Sequence, residues 1–224
     1  MNLTPVQSRV VGCLIEKEMA TPDNYPLTMN ALMAACNQTS NRNPVTKLEE
    51  PTVENALQNL RAMNVVRIVY SRSNRADKFR HVLDEMLALE PQHLAILSVL
   101  MLRGPQTAGE LRSRTERLHP FATQEEVDDA LRELAGRNEP LAARLERRPG
   151  QKESRWAHLL GGDLAEALAG DDDDGDEHRP THRADRLAAL EEAVNDLRAD
   201  LEQLRTAHRN LVARLGESDD LAGD

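Results

Sequence analysis

The sequence predicts a mainly α-helical α+β protein with two tandem winged-helix domains and a C-terminal coiled-coil helix. Three observations lead to this fold class. A helix, a strand, a basic turn and a strand follow one another in residues 51–83, the helix pattern recurs in residues 127–134, and a leucine heptad runs through residues 184–216. Hydrophobic residues make up 40% of the 224, but aromatic residues only 2%. Aliphatic side chains must therefore fill the cores, which favours helices.

The stretch from Pro51 to Leu83 carries the clearest pattern. Its apolar residues at i, i+3, i+4 and i+7 mark one face of a helix, and they are Val53, Ala56, Leu57 and Leu60. Residues 65–70 (VVRIVY) are a β-branched run that predicts a strand. A polar turn with several arginines and a short strand over residues 78–83 follow. Together they are typical of the second half of a winged helix.

Two helices precede this stretch. The first spans Leu3 to Ala20, and the second spans Met29 to Cys36 with Thr28 as its N-cap. The polar, Asn-rich run from Asn37 to Pro44 allows two interpretations. It supplies hydrogen-bond donors for phosphate or a peptide backbone, with Asn41 and Arg42 as the candidate loop contacts, or it is a self-bonded Asx-rich loop that holds the helix ends.

The pattern V-x-x-A-L-x-x-L of the first helix face returns in Val127, Ala130, Leu131 and Leu134. Helices are expected over residues 91–103, over residues 108–118 with Thr107 as N-cap, and after Thr123, where Glu126 would complete a capping box. Strands are expected over residues 141–145 and 154–158. The predicted domains are residues 1–83 and 84–162, and residues 84–89 form a short helical linker.

The C-terminal part is predicted to hold a disordered acidic linker (163–183), a coiled-coil helix (184–216) and a disordered tail (217–224). His208 breaks a heptad that is otherwise apolar. We expect self-association into a homodimer, and the alternative is that the helix packs back on the winged helices. The predicted oligomerisation residues are Leu187, Leu190, Val194, Leu197, Leu201, Leu204, Leu211 and Leu215.

Catalytic motifs are absent from the sequence: it contains no P-loop, no dinucleotide fingerprint, no nucleophile elbow and no H-E-x-x-H. The seven histidines are scattered, and most of them should be surface or boundary residues. A non-enzymatic protein without a cofactor or a metal site is therefore expected. Cys13 and Cys36 should be buried thiols, with a disulfide or redox pair as the alternative. No apolar run has the length of a membrane span, and a cytoplasmic protein is expected.

The first repeat is the better candidate for binding DNA. If the apolar face of its third helix is buried, then Asn55, Gln58 and Arg61 face outward, where amides can read adenine and a guanidinium can read guanine. Residues 163–224 carry 18 Asp/Glu and 7 Lys/Arg, a net charge of −11, so the total of −10 does not describe the nearly neutral folded part. The predicted phosphate contacts of the wing are Arg72, Arg75, Lys78 and Arg80.

The alternative function is a protein-interaction scaffold without DNA binding, because winged helices also serve as docking modules. Three glutamates, at positions 49, 50 and 54, lie at the start of the third helix. In the second repeat the corresponding helix exposes Asp128, Asp129 and Arg132 among further glutamates, and such a face should repel DNA.

Specific linked motifs lie in the segments Leu3 to Pro5, Ile15 to Lys17, Thr21 to Thr28, Asn37 to Pro44 and Val53 to Leu60. Together they resemble the bacterial YceH family of uncharacterised proteins, and the match covers about residues 2–160. Asn43 stands where that family's pattern has Asp. The resemblance implies a tandem winged-helix fold and a bacterial cytosolic protein, and it implies no established activity, substrate or catalytic residue.

Overall fold

The computed structural model describes residues 1–70, 76–147 and 153–161, together with Arg205 and His208. The α+β class is confirmed: about half of the described residues are helical, and the strands form small antiparallel sheets. Residues up to 161 lie in one compact unit, Met1–Asp172. Arg205 and His208 are helical and exposed. The predicted oligomerisation residues lie outside the described residues.

The first repeat consists of three helices and a three-stranded sheet. Its strands are ordered β1-β3-β2, with Leu27 opposite Phe79 and Val66 opposite His81. A 3₁₀ turn, Pro22–Asn24, separates the first helix from the first strand. In chain order the elements are α1 (Pro5–Ala20), β1 (Leu27–Thr28), α2 (Met29–Cys36), α3 (Glu50–Ala62), β2 (Val66–Val69) and β3 (Lys78–His81).

The second repeat follows the same order after a connecting helix. Its two strands pair antiparallel, with Ala142 opposite His158. A single bridge between Gln106 and Trp156 stands where β1 pairs with β3 in the first repeat. The elements are α4 (Leu83–Leu87, the connection), α5 (Pro91–Arg103), α6 (Ala108–Thr115), α7 (Gln124–Ala135), β4 (Ala142–Arg144) and β5 (Trp156–His158).

Threonine side chains are the N-caps of several of the helices. Thr28 accepts a hydrogen bond from the amide of Ala31, as predicted for α2. At α7 only one of the two hydrogen bonds of the predicted capping box is present. The Thr123 hydroxyl accepts from the amide of Glu126 (3.3 Å), but the Glu126 carboxylate accepts from the amide of Ala122 (2.9 Å), one residue before the N-cap. The predicted capping box is therefore wrong, because the glutamate satisfies a different backbone donor.

The two repeats share one hydrophobic core. The predicted inward faces of α3 and α7 are both confirmed as buried. Helices α1 and α5 cross at Gly12, whose carbonyl accepts a hydrogen bond from the Ser98 hydroxyl (3.1 Å). The amide of Leu3 donates to the carbonyl of Leu160 (2.6 Å), so the N-terminus of the first repeat is tied to the end of the second.

Two histidines depart from the expectation of surface or boundary positions. His81 is 0% exposed and His93 is 6% exposed. The amide of Leu83 donates to the His81 ring at Nδ1 (3.3 Å), and Glu133 lies 2.7 Å from Nε2 of His93. Polar partners for the ring nitrogens allow such burial.

In the described part of the chain, no helix combines the length and the apolar character needed to cross a membrane.

Candidate nucleic-acid interface

The exposed face of α3 carries the residues that the sequence predicted for base contacts. Asn55, Gln58 and Arg61 are all exposed, while the opposite face of the helix is buried in the core. The side-chain amide of Asn59 donates to Oδ1 of Asn55 (2.7 Å), so two amides one turn apart are joined on this face. The face thus offers amide and guanidinium donors to solvent.

A concavity of about 600 Å³ lies between the C-terminal half of α3 and strand β2. Asn64, with φ of 57°, takes the left-handed conformation just after the helix, and the amide of Val65 then donates to Leu60 O (2.9 Å). This turn brings the start of β2 back beside the helix. The polar and aromatic residues lining the concavity are Gln58, Arg61, Asn64, Arg67 and Tyr70.

Tyr70 stands at the end of β2 with 77% of its surface exposed. An exposed aromatic ring beside amides and guanidinium groups is a surface that suits a nucleobase, a sugar–phosphate chain or a protein partner. The sequence predicts Tyr70 only as the last residue of a strand. The signal was its place next to a basic turn, in a chain with very few aromatic residues.

The cations of the predicted wing differ in their availability. Glu85 accepts from Arg80 Nη2 (2.7 Å) and from Arg67 Nη1 (3.0 Å). The hydrogen bond from Arg80 lowers the pKa of Glu85, and the same bond raises the pKa of Arg80. The positive charge of Arg80 is therefore partly compensated, and Lys78 is half-buried. Arg72 and Arg75 lie outside the described residues.

Arg42, a candidate loop contact, lies inside the protein. Its side chain is 0% exposed, and both of its terminal nitrogens bind the Glu16 carboxylate (3.0 and 2.6 Å). The same guanidinium donates to the carbonyl of Ala35 and to Gln38 Oε1. Of the two interpretations of the loop, the structure supports the self-bonded one for this residue. Sequence reasoning missed the Glu16 partner because it lies 26 residues away.

Asn41, the second candidate loop contact, is exposed and has a left-handed backbone, with φ of 57°. Its Oδ1 accepts a hydrogen bond from Arg103 Nη1 (2.6 Å), at the end of α5. The neighbouring amide of Asn43 donates to the carbonyl of Leu102 (2.9 Å). The loop of the first repeat is thus docked on the second repeat, which gives it a structural role.

Carboxylates surround the start of α3. Glu49, Glu50 and Glu54 are all exposed there. Carboxylates repel the phosphates of a nucleic acid, so the start of α3 is the less favourable part of this face. The favourable part of the surface is therefore the C-terminal half of α3, where Gln58 and Arg61 adjoin the concavity.

The corresponding surface of the second repeat has a different charge. On α7 the side chain of Arg132 forms an ion pair with Asp129, and Glu125 and Glu126 are exposed. A concavity of about 850 Å³ lies between α7 and the strands β4 and β5, and its lining mixes carboxylates with arginines: Asp128, Glu146, Glu153, Arg132, Arg144 and Arg147. In the described part of the chain, no three His, Cys, Asp or Glu side chains are grouped to hold a metal ion.

The model of a family described as "Protein of unknown function, DUF480" matches residues 3–151. The chain belongs to this family. A UPF0502 protein of Pelobacter propionicus is 49% identical over 211 residues, which cover 92% of the chain and 94% of the relative. UPF0502 protein GSU0233 of Geobacter sulfurreducens is 51% identical, covering 87% and 90%. UPF0502 protein Bcen2424_5610 of Burkholderia cenocepacia is 38% identical, covering 100% and 93%.

Membership of DUF480 confirms the expectation of an uncharacterised bacterial family. The names of these relatives are UPF0502 rather than YceH. The DUF480 match spans most of both repeats and ends between β4 and β5 in the sequence. The match brings no activity to the chain.

Proposed function

We propose that the protein is a non-enzymatic DNA-binding regulator whose first repeat is the DNA-binding module. In this proposal each repeat is a winged helix, α3 is the recognition helix, and β2 and β3 form the wing. The order of helices and strands and the sheet order β1-β3-β2 support the winged-helix assignment. The same order in the second repeat supports a tandem arrangement.

The observation that carries the proposal is the exposed polar face of α3 beside the concavity. Asn and Gln amides can form paired hydrogen bonds with adenine, and Arg can do so with guanine. Gln58 and Arg61 lie one turn apart and line the same concavity as Tyr70. Phosphate contacts from Lys78 and from the arginines of the wing would fix the position on the duplex.

The proposal assigns the second repeat a supporting role. Its helix α7 is acidic where α3 carries amides, and its Arg132 is already bound to Asp129. The coiled-coil prediction for residues 184–216 adds a homodimer, in which two first repeats would address two half-sites of one DNA.

A binding titration with matched variants tests this function. Full-length protein is titrated against mixed genomic DNA at low and at moderate salt, and we expect affinity that falls as salt rises. Replacing Gln58 and Arg61 together by Ala should weaken binding on the order of tenfold or more, because each base contact contributes roughly 1–3 kcal/mol. Both side chains are exposed, so the fold should be kept.

The matched control is Arg132→Ala, which changes the position in α7 that corresponds to Gln58. It should leave DNA affinity unchanged. Absence of binding at low salt, or an equal loss in the control and in the double variant, would contradict the assignment of DNA binding to α3.

Protein docking is the second candidate, and the carboxylates at the start of α3 favour it. Tyr70 would then be an interface residue, since exposed aromatic rings are enriched where proteins meet. A partner protein that stays bound after nuclease treatment and is lost from Tyr70→Ala would decide for docking over DNA.

A further inference from the structure

Strand β2 leads from the core of the first repeat to the concavity beside α3. Val66 and Ile68 of this strand, and Tyr70 directly after it, line the concavity. They lie on one face of the chain, because side chains of a strand alternate between its two faces. Val66 is buried, Ile68 is half-buried against the core, and Tyr70 is 77% exposed. The face thus becomes more exposed along the strand and ends in an aromatic ring.

Packing within the protein does not account for the Tyr70 ring. Among the described residues, its hydroxyl forms no hydrogen bond and its ring contacts no other aromatic ring. The other tyrosine, Tyr25, is half-buried, and its hydroxyl accepts a hydrogen bond from the amide of His81 (2.8 Å). Removing an aromatic ring from water is favourable, and nothing in this part of the fold covers the ring of Tyr70. Its position therefore suits contact with a ligand.

The lining of the concavity is basic. Its described residues include Arg61 and Arg67 and no carboxylate, whereas the lining in the second repeat mixes carboxylates with arginines. Within the described part of the chain, the side chains of Gln58 and Arg61 form no hydrogen bond or ion pair, so both are available. Arg67 shares the carboxylate of Glu85 with Arg80, at 3.0 and 2.7 Å. Two guanidinium groups thus face one carboxylate, and this trio keeps a net positive charge.

These groups together match a single nucleotide. The volume of about 600 Å³ lies within the range of roughly 300–1,000 Å³ that ligand sites have. An aromatic ring such as that of Tyr70 stacks on the face of any base. Gln58 and Arg61, one turn apart on α3, offer hydrogen-bonding groups to the edge of that base. Arg67, on the β2 side of the concavity, can pair with a phosphate.

Stacking on Tyr70 requires a base that is not already stacked on both faces. In a continuous duplex, neighbouring base pairs cover both faces of each base, and proteins reach the base edges in the grooves. Taking a base out of a duplex costs free energy, whereas the bases of a single strand are already accessible. The exposed ring therefore favours single-stranded DNA, and the basic lining favours its phosphates.

We propose that this concavity binds one nucleotide of single-stranded DNA, with the ring of Tyr70 stacked on its base. Gln58 and Arg61 then contact the edge of the base, and Arg67 pairs with the adjoining phosphate. The first repeat consequently binds a single strand more tightly than the duplex of the same sequence. This inference rests on the proposed DNA binding through α3, and it names the form of DNA that the surface takes and the residue that distinguishes the two forms.

A comparison of single-stranded and duplex DNA tests this preference. Full-length protein is titrated with a fluorescently labelled single strand of mixed sequence, and separately with the same strand annealed to its complement, at one low salt concentration. We expect the single strand to bind on the order of tenfold more tightly, because a stack on an aromatic ring contributes about this factor per base. A duplex that binds as tightly as the single strand would overturn the inference and leave the proposed function standing. Absence of binding to either form would refute both.

Substitutions at Tyr70 assign the preference to its ring. Tyr70→Ala should bring the two affinities to near equality, whereas Tyr70→Phe, which keeps the ring, should retain the preference. Because Tyr70 is mostly exposed, neither change disturbs the core. The matched control is Val45→Ala, which shortens an exposed apolar side chain outside the concavity and should leave both affinities unchanged. A preference that survives in Tyr70→Ala, or that is lost equally in the control, would contradict the role given to the ring.

Stacking itself is measured with a single strand that carries a fluorescent adenine analogue, whose emission falls when a ring stacks on it. At saturating protein, the emission should be lower with wild type and with Tyr70→Phe than with Tyr70→Ala. Equal emission with all three proteins would overturn the inference. Displacement of the strand by an equal concentration of free deoxyadenosine monophosphate would also overturn it, because the concavity would then take a free nucleotide. The comparison of single strand and duplex with wild-type protein stands if either variant fails to fold.

Discussion

At the scale of single residues, burial decides what a charged or titratable side chain does. His158 in β5 shows this most simply. Its ring lies beside Gly161, where an added Cβ would come within 3.5 Å of Cε1, and Nδ1 is buried without a hydrogen-bond partner among the described residues. Burial lowers the pKa of His158 from 6.5 to about 4. The ring is therefore neutral in the folded protein at neutral pH.

His158 should make stability depend on pH in a defined window. Below pH 6.5 the unfolded chain binds a proton that the folded chain does not bind until about pH 4, so the free energy of unfolding falls as the pH drops through this window. The loss reaches about 3 kcal/mol at most. We expect urea unfolding to show a smaller loss between pH 7 and pH 5 in His158→Gln than in wild type. Identical losses in the two proteins would contradict the role given to His158.

The arginines illustrate what can be predicted from sequence at this scale. Helical periodicity correctly places Arg61 on the exposed face of α3. Nothing in the local sequence distinguishes it from Arg42, which is bound to Glu16 in α1, or from Arg80, which is bound to Glu85. Those partners are set by how α1 and α4 pack, and residue patterns within a single element carry no information on that packing. The candidate site was therefore predictable as a helix face but not as a set of available charges.

At the scale of elements, local sequence signals predict the helices but do not predict a strand that depends on pairing with distant residues. Helices α2 and α5 have the predicted bounds because caps, prolines and apolar spacing are local signals. Strand β1 has only two residues and was not predicted. It exists because Leu27 and Thr28 pair with Phe79 and Lys78, about fifty residues away, and short stretches of sequence do not encode such pairing.

The segment after α2 is an element without regular structure that is held by side chains. Asn37 Nδ2 donates to the carbonyl of Leu48 (2.9 Å), and Asn37 Oδ1 accepts from the amide of Leu48 (2.7 Å). One side chain thus satisfies both backbone groups of a half-buried residue, as a neighbouring strand would. This pair fixes the two ends of the segment before α3 begins.

Asn37→Ala should therefore lower the free energy of unfolding by about 1–3 kcal/mol, because it leaves two backbone groups of Leu48 unpaired. Ser40→Ala, in the same segment but exposed, is the matched control and should stay within about 0.5 kcal/mol of wild type. Denaturant unfolding of the three proteins checks this. If the two substitutions lower the free energy of unfolding equally, the side chain of Asn37 does not hold the two ends of the segment together.

At the scale of the whole molecule, the two repeats behave as one folded body. Helices α1 and α5 cross in the shared core, and the bonds from Leu3 to Leu160 and from Asn43 to Leu102 tie the repeats together on either side of this crossing. Helix α1 packs against α5 of the second repeat as well as against α2 and α3 of its own repeat. A duplicated sequence pattern suggests two independent domains, whereas packing across the repeats implies that they unfold together.

A substitution at Gly12 tests whether the stability of each repeat depends on the other. A Cβ at position 12 would lie 3.0 Å from Cγ of Leu102 and 3.1 Å from Cβ of Met101, so an alanine requires these α5 side chains to give way by a few tenths of an ångström. At Gly109 in α6 the nearest atom to an added Cβ is 3.8 Å away, an ordinary contact. Both substitutions to Ala gain helix propensity, but only the first crowds the interface between the repeats. Gly12→Ala should thus be less stable than Gly109→Ala by about 1–3 kcal/mol.

Thermal unfolding followed by circular dichroism and by Trp156 fluorescence measures both the stability lost in Gly12→Ala and the cooperativity with which the two repeats unfold. Trp156 is the only tryptophan and lies in the second repeat, whereas Gly12 lies in the first. If the repeats form one cooperative body, Gly12→Ala lowers the transition temperature seen by Trp156 as much as it lowers the transition seen by circular dichroism. A Trp156 transition that keeps its wild-type temperature while the circular dichroism transition shifts would mean that the second repeat folds independently of the first.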